Sequence, residues 1–174
     1  EKLICNNLED AKFLRKEKER LNHIDFRTHL KWNLLGLDHK IFELQSKYDL
    51  GELNNISVNA GNCCLSMGGA HWIGLFLNLF KINSSDFCNV SSNIGVRYES
   101  PRSKDIPVLS GQISLFLDNK HRLCLNFSEG SHVAPIAIFL FKYGRILMTF
   151  EGNMKVETID GERELPSHIY RSPV

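Results

Sequence analysis

The sequence contains no Cys-x-x-Cys pair and no regular cysteine framework. Its five cysteines, Cys5, Cys63, Cys64, Cys88 and Cys124, are odd in number and sit mostly among apolar residues, where a free thiol behaves as a small buried hydrophobe. A disulfide scaffold is excluded, and a reducing, cytoplasmic setting is expected. No apolar run reaches the roughly 18 residues that a membrane helix needs; the longest, Trp72 to Phe80, is broken by Gly74 and Asn78. No sign of charge dominates, since 21 basic and 20 acidic residues leave a net charge of +1. The one basic cluster, Lys12, Arg15, Lys16, Lys18 and Arg20, is interleaved with Glu17 and Glu19, as on a solvated helix face rather than a nucleic-acid patch. Neither nucleic acid nor membrane is therefore expected as a partner. His39, His121, His132 and His168 show no metal-ligand spacing with Cys, Asp or Glu, so no metal site is expected either.

What is present fits one ordinary domain with a piece of a second, because 174 residues can bury a core unaided. Leu8 to Asn22 has helical propensity, with Asn7 as a cap and Glu9 and Asp10 in the first turn. Ile24, Phe26, Thr28 and Leu30 alternate as in a strand. Leu34, Leu37, Ile41, Leu44 and Tyr48 step by three and four, predicting a helix over Asn33 to Tyr48, with Gly51 suited to the left-handed residue beyond it. Ile56, Val58 and Ala60 mark a strand, and Ser66 to Phe80 reads as a buried helix behind Gly68-Gly69.

From Phe87 the period changes to two. Val90 to Tyr98 alternates, Ser100 to Pro107 reads as a loop, and Asp118-Asn119-Lys120 and Lys142-Tyr143-Gly144 read as hairpin turns. The second half is thus predicted to be an antiparallel meander. If Ile113, Leu115, Leu117, Leu123, Leu125, Ile138, Leu140, Ile146 and Met148 face the helices, the opposite face carries Phe116, Cys124, Phe139, Phe141 and Leu147. A one-sided sheet should alternate apolar with polar. So wide an apolar second face predicts a homo-oligomer that buries it.

This order of elements resembles the glucose–fructose oxidoreductase and inositol dehydrogenase family. In that family a Rossmann domain ends in a strand with a Glu-Lys-Pro motif, and the chain then enters a large open sheet backed by helices. Glu1-Lys2-Leu3 matches its first two positions, Leu8-Glu9-Asp10-Ala11 resembles the helix that follows, and Phe26-Arg27 resembles the strand leaving the nucleotide domain. Leu50-Gly51-Glu52-Leu53 is similar to the family's turn before its next strand, and Gly69-Ala70-His71 to its Gly-x-His helix motif. Tyr143-Gly144-Arg145 resembles the turn of its late hairpin. The resemblance implies an α+β fold: a large open, mostly antiparallel sheet with helices on one face, preceded by a remnant of a Rossmann domain. Residues 1–30 would be that remnant, and 31–174 the substrate-binding and oligomerisation domain.

It also implies hydride transfer between NAD or NADP and a sugar, nucleotide sugar or cyclitol. His71 is the acid–base candidate and Lys2 its electrostatic partner, because an imidazole titrates near neutrality and an ammonium steadies a developing alkoxide. A position near a helix start suits a neutral imidazole. Arg27, His29 and Trp32 follow a strand end, and Trp72 stands beside the histidine; these are the substrate-binding candidates. Equally, His71 reads as a packed histidine bonded to backbone. Departures from the family pattern are Leu3 for proline, Met67 for the aspartate before the histidine, and Gly74 for the acid after it. No G-x-G-x-x-G joins a strand to a helix, so the phosphate-binding unit is expected to precede Glu1 and the isolated chain to be inactive. The alternative is a non-catalytic member of the same fold that serves ligand binding or assembly.

Overall fold

Leu37, Ile41 and Leu44 recur at helical spacing and are all buried, while Ile56 and Val58 alternate and are buried opposite them. The computed structural model describes residues 8–20, 30–61, 64–82, 88–98, 108–117, 120–128, 131 and 133–165. Helix α1 (Leu8–Arg20) carries the ion pairs Arg15–Glu19 and Arg20–Glu17 on its solvated side. The strand expected over His23 to Leu30 lies outside the described residues except for Leu30. The single helix expected from Asn33 is divided into α2 (Lys31–Leu34) and α3 (Leu37–Lys47), because Gly36 adopts a left-handed φ of 64°. Immediately beyond α3 Asp49 is left-handed, and the Leu50 amide closes the last turn on the Gln45 carbonyl at 3.0 Å. Gly51 is also left-handed, but it accommodates the ring of Tyr143. Helix α4 (Leu65–Leu79) follows strand β1 (Leu53–Gly61). Among the described residues no helix is long and apolar enough to cross a membrane.

The remaining strands are β2 (Cys88–Tyr98), β3 (Val108–Leu117), β4 (His121–Ser128), β5 (Ile136–Phe141), β6 (Gly144–Thr149), β7 (Met154–Thr158) and β8 (Gly161–Leu165). With β1 they form one open sheet in the order β2-β3-β4-β1-β5-β6-β7-β8. All pairs are antiparallel except β1 with β4. The architecture is the α+β open sheet expected, but the meander is not continuous: β1 is inserted between β4 and β5, and a further strand, β8, follows Asp160. Helix α4 packs on β3 and β4, and α2 and α3 pack against α4. Leu123, Leu125, Phe139, Ile146 and Val156 line the sheet beneath the helices.

One expectation about the outer face is corrected. Phe139 and Phe141 lie on the helix side, 0% and 3% exposed, whereas Leu140 is outward and 44% exposed. The hairpin pairs Leu140 with Arg145 and Phe139 with Ile146, so its turn is the two residues Lys142-Tyr143 rather than three. A one-residue change of register exchanges the faces of a strand. The turn is fixed by the Lys142 and Tyr143 amides, which donate to the Glu52 and Leu50 carbonyls at 2.9 Å. Phe116, Cys124 and Leu147 do belong to the outer parity, in rows that also hold Ser57, Ser91, Ser114 and Arg122. At the β6–β8 end the outer face is charged: Arg145 pairs with Glu157, and Lys155 reaches Glu162 at 2.5 Å.

Two outcomes follow from this register. Phe139→Ala is expected to cost about 3–5 kcal/mol in chemical denaturation, while Leu140→Ala stays within about 0.5 kcal/mol. The Arg145 hydrogen bond holds the Glu157 carboxyl below its ordinary value, with Lys155 assisting. A lowered carboxylate pKa stabilises the fold above the unfolded value and ceases to do so as pH falls through the folded one. Denaturation curves of Arg145→Gln should therefore depend less steeply on pH in the acid range than those of the parent chain.

Candidate functional site around His71

The N-terminus of α2 lacks a side-chain cap of its own, since Leu30 occupies the N-cap position. The first amides of a helix need acceptors from elsewhere. His71, on α4, supplies one: its Nδ1 accepts the Lys31 amide at 3.2 Å. One turn further along α4, the Leu30 side chain lies directly on Gly74, where any Cβ would collide with it. Helices α2 and α4 are thus clipped together at two points. Between them Trp32 and Trp72 pack ring to ring, 4.7 Å apart and tilted by 42°.

This geometry assigns places to the sequence candidates. His71 is half-buried, in the second turn of α4, because the helix begins at Leu65 and contains Gly68 and Gly69 rather than following them. An imidazole whose Nδ1 accepts a backbone N–H carries its proton on Nε2; Nε2–H is then a donor. Trp32 and Trp72 are 3% and 6% exposed, so their rings belong to the core. Lys2, Arg27 and His29 lie outside the described residues. Sequence reasoning missed the role of Lys31, whose ammonium stands 4.6 Å from the Trp32 ring and 4.5 Å from that of Phe150. Phe150 comes from the distant β6–β7 turn, and no local pattern connects it to α2. Among the described residues no three His, Cys, Asp or Glu side chains gather to hold a metal.

Gly61, Gly68 and Gly69 do not fit a dinucleotide cradle, which needs free amides and room for a pyrophosphate. The Gly68 amide donates to the Cys64 carbonyl at 2.7 Å, and Gly69 is packed against Leu65 and Leu125. Gly61, at the end of β1, faces the carbonyl oxygens of Val133 and Ser131, which would lie 2.5 and 2.7 Å from a Cβ there. These acceptors repel a phosphate. These three positions therefore offer packing and hydrogen bonding rather than a phosphate site.

No protein-family profile matches the chain, and no curated protein does. Solved structures do. An oxidoreductase from Agrobacterium radiobacter, in complex with NAD+, L-tartaric acid and magnesium, is 13% identical with a TM-score of 0.68, over 95% of this chain and 52% of that one. An oxidoreductase from Sinorhizobium meliloti is 13% identical with a TM-score of 0.66, over 94% and 49%. A 3-ketoreductase from Actinomadura kijaniata, in complex with TDP-benzene and NADP, is 14% identical with a TM-score of 0.64, over 92% and 53%. The chain spans about half the length of these structures. It shares the fold of the part it covers, an open sheet backed by helices.

The clip separates two roles of the histidine. His71→Ala, which leaves the Lys31 amide without its acceptor, should lower stability by about 1–3 kcal/mol in urea denaturation. His71→Asn, whose Oδ1 can stand where Nδ1 was, should recover most of that loss.

Proposed function

We propose that this chain is the substrate-side half of an NAD(P)-dependent oxidoreductase that acts on a sugar, nucleotide sugar or cyclitol. The observation that carries the reading is the match of nearly the whole chain to about half of oxidoreductases solved with NAD+ or NADP. Residues 1–30 join a nucleotide-binding unit to the sheet domain, 31–174. The nucleotide supplies hydride chemistry when bound; the chain's own residues bind and orient the substrate. His71 is the acid–base group that exchanges a proton with the substrate oxygen, and Lys2 supplies positive charge beside it. Arg27 and His29 border the substrate, while Trp32 and Trp72 act by holding α2 on α4. The outer sheet face pairs two copies through Leu147 together with Ile138 and Leu140.

A second reading, the same fold kept for ligand binding or assembly without turnover, is favoured by one observation. An Nε2–H imidazole whose Nδ1 is committed to a backbone amide has no nitrogen with which to take a proton. The position of the family's acid is also filled by the Gly74–Leu30 contact.

The test joins this chain to a nucleotide-binding segment and follows sugar-dependent reduction of NAD(P). Turnover that falls about 100-fold or more in His71→Asn, with the fold intact, supports the first reading. Cofactor binding with no turnover across a panel of sugars, nucleotide sugars and cyclitols replaces it with the second.

A further inference from the structure

On the side of the sheet away from the helices, four carboxamides stand in a row. Asn93, Gln112, Asn126 and Asn59 are successive cross-strand partners on β2, β3, β4 and β1. Adjacent strands are about 4.8 Å apart, so the row extends over roughly 15 Å. All four line a groove of about 430 Å³, walled at one end by Ser131 and Val133. Among the described residues, none that lines it is charged.

The groove's chemistry is specific. A carboxamide presents an acceptor oxygen and two donor hydrogens side by side. Asn126 donates from Nδ2 to Asn59 Oδ1 at 3.1 Å, which orients both groups and leaves Asn59 its amino hydrogens and Asn126 its carbonyl oxygen. A charged ligand finds no counter-charge among the described lining residues. A wholly apolar one would strip water from four amides without replacing their hydrogen bonds, at a cost for each. A hydroxyl both donates and accepts, and a neighbouring pair of hydroxyls matches the paired donor and acceptor of one carboxamide. Ile136 and Val133 add apolar surface of the kind that receives the C–H face of a sugar ring. Room is available too, since a Cβ at Gly95, on the groove's rim, would meet no atom of the described residues within 4 Å.

We propose that this groove binds a neutral polyhydroxylated ligand, a saccharide or cyclitol, on the outer face of the sheet. It is independent of the reading given for His71, because α4 packs on the opposite face and the two can fail separately.

The experiment is nitrogen-edited NMR of the full chain titrated with maltose and with myo-inositol, and with glucuronate as the charged comparison. The side-chain amide signals of Asn59, Asn93, Gln112 and Asn126 should shift with a neutral probe and respond less to glucuronate. Asn59→Ala combined with Asn126→Ala should weaken binding about tenfold, a loss of one to two hydrogen bonds. Gly95→Leu, which fills the groove from its open rim, should abolish binding while the thermal midpoint stays unchanged. Silence of all four amides toward both neutral probes overturns the proposal. Amide shifts that track protein concentration alone, with dimers in sedimentation velocity, also overturn it and assign the groove to a second copy.

Discussion

Both halves of the sheet depend on β1. Its inner face puts Ile56 and Val58 under the helices, and its two edges carry different meanders. On one side it pairs in parallel with β4, the end of the β2–β3–β4 ribbon; on the other it pairs antiparallel with β5, the start of β5 to β8. Without β1 each ribbon would end in an unpaired edge. A parallel pair cannot be closed by a hairpin and requires a crossover. Here the crossover runs through α4, which is why that helix has no continuous polar face: the topology lays it across β3 and β4.

The burial of α4 in turn determines what His71 can do. A helix pressed on the sheet still has to hold α2, and it does so with one polar contact and one steric one. The His71 Nδ1 completes the α2 N-terminus, and Gly74 leaves room for Leu30. Both are positions at which the resemblance leads one to look for acid–base chemistry. The same two side-chain choices that secure the helices therefore remove a free imidazole nitrogen and a carboxylate. Binding and orientation need neither of these.

Much of this was legible in the sequence, and the exceptions have physical causes. The helical stripe of Leu37, Ile41 and Leu44, the alternation at Ile56 and Val58, and the β3–β4 hairpin all follow from local period. The phase of β5 does not, because Ile136 to Phe141 is apolar at every position and alternation cannot choose a face. The deciding contacts are amides of Lys142 and Tyr143 bonded to residues some ninety positions earlier. The insertion of β1 is equally non-local. Gly74 looked like a lost acid and is a packing contact with Leu30, a residue whose neighbours no periodicity reveals. Lys2, Arg27 and His29, on which the resemblance places substrate contacts, stand outside the described residues. The carboxamide row was invisible for a further reason: its members come from four strands and become adjacent only through the sheet order.

That row also changes how the outer face should be understood. With Phe139 and Phe141 turned inward, the apolar outer surface shrinks to a strip around Ile138, Leu140 and Leu147. Carboxamides and serines flank it on the β1–β4 side, and the Arg145–Glu157 and Lys155–Glu162 pairs flank it on the other. A partner laid over the whole face would have to meet amides and charges as well as leucines, and each amide left unsatisfied costs about 1–3 kcal/mol. A partner centred on the strip gains apolar burial without that penalty. Self-association through the strip and ligand binding in the groove are therefore compatible, because strand order separates apolar from hydrogen-bonding surface along a single face.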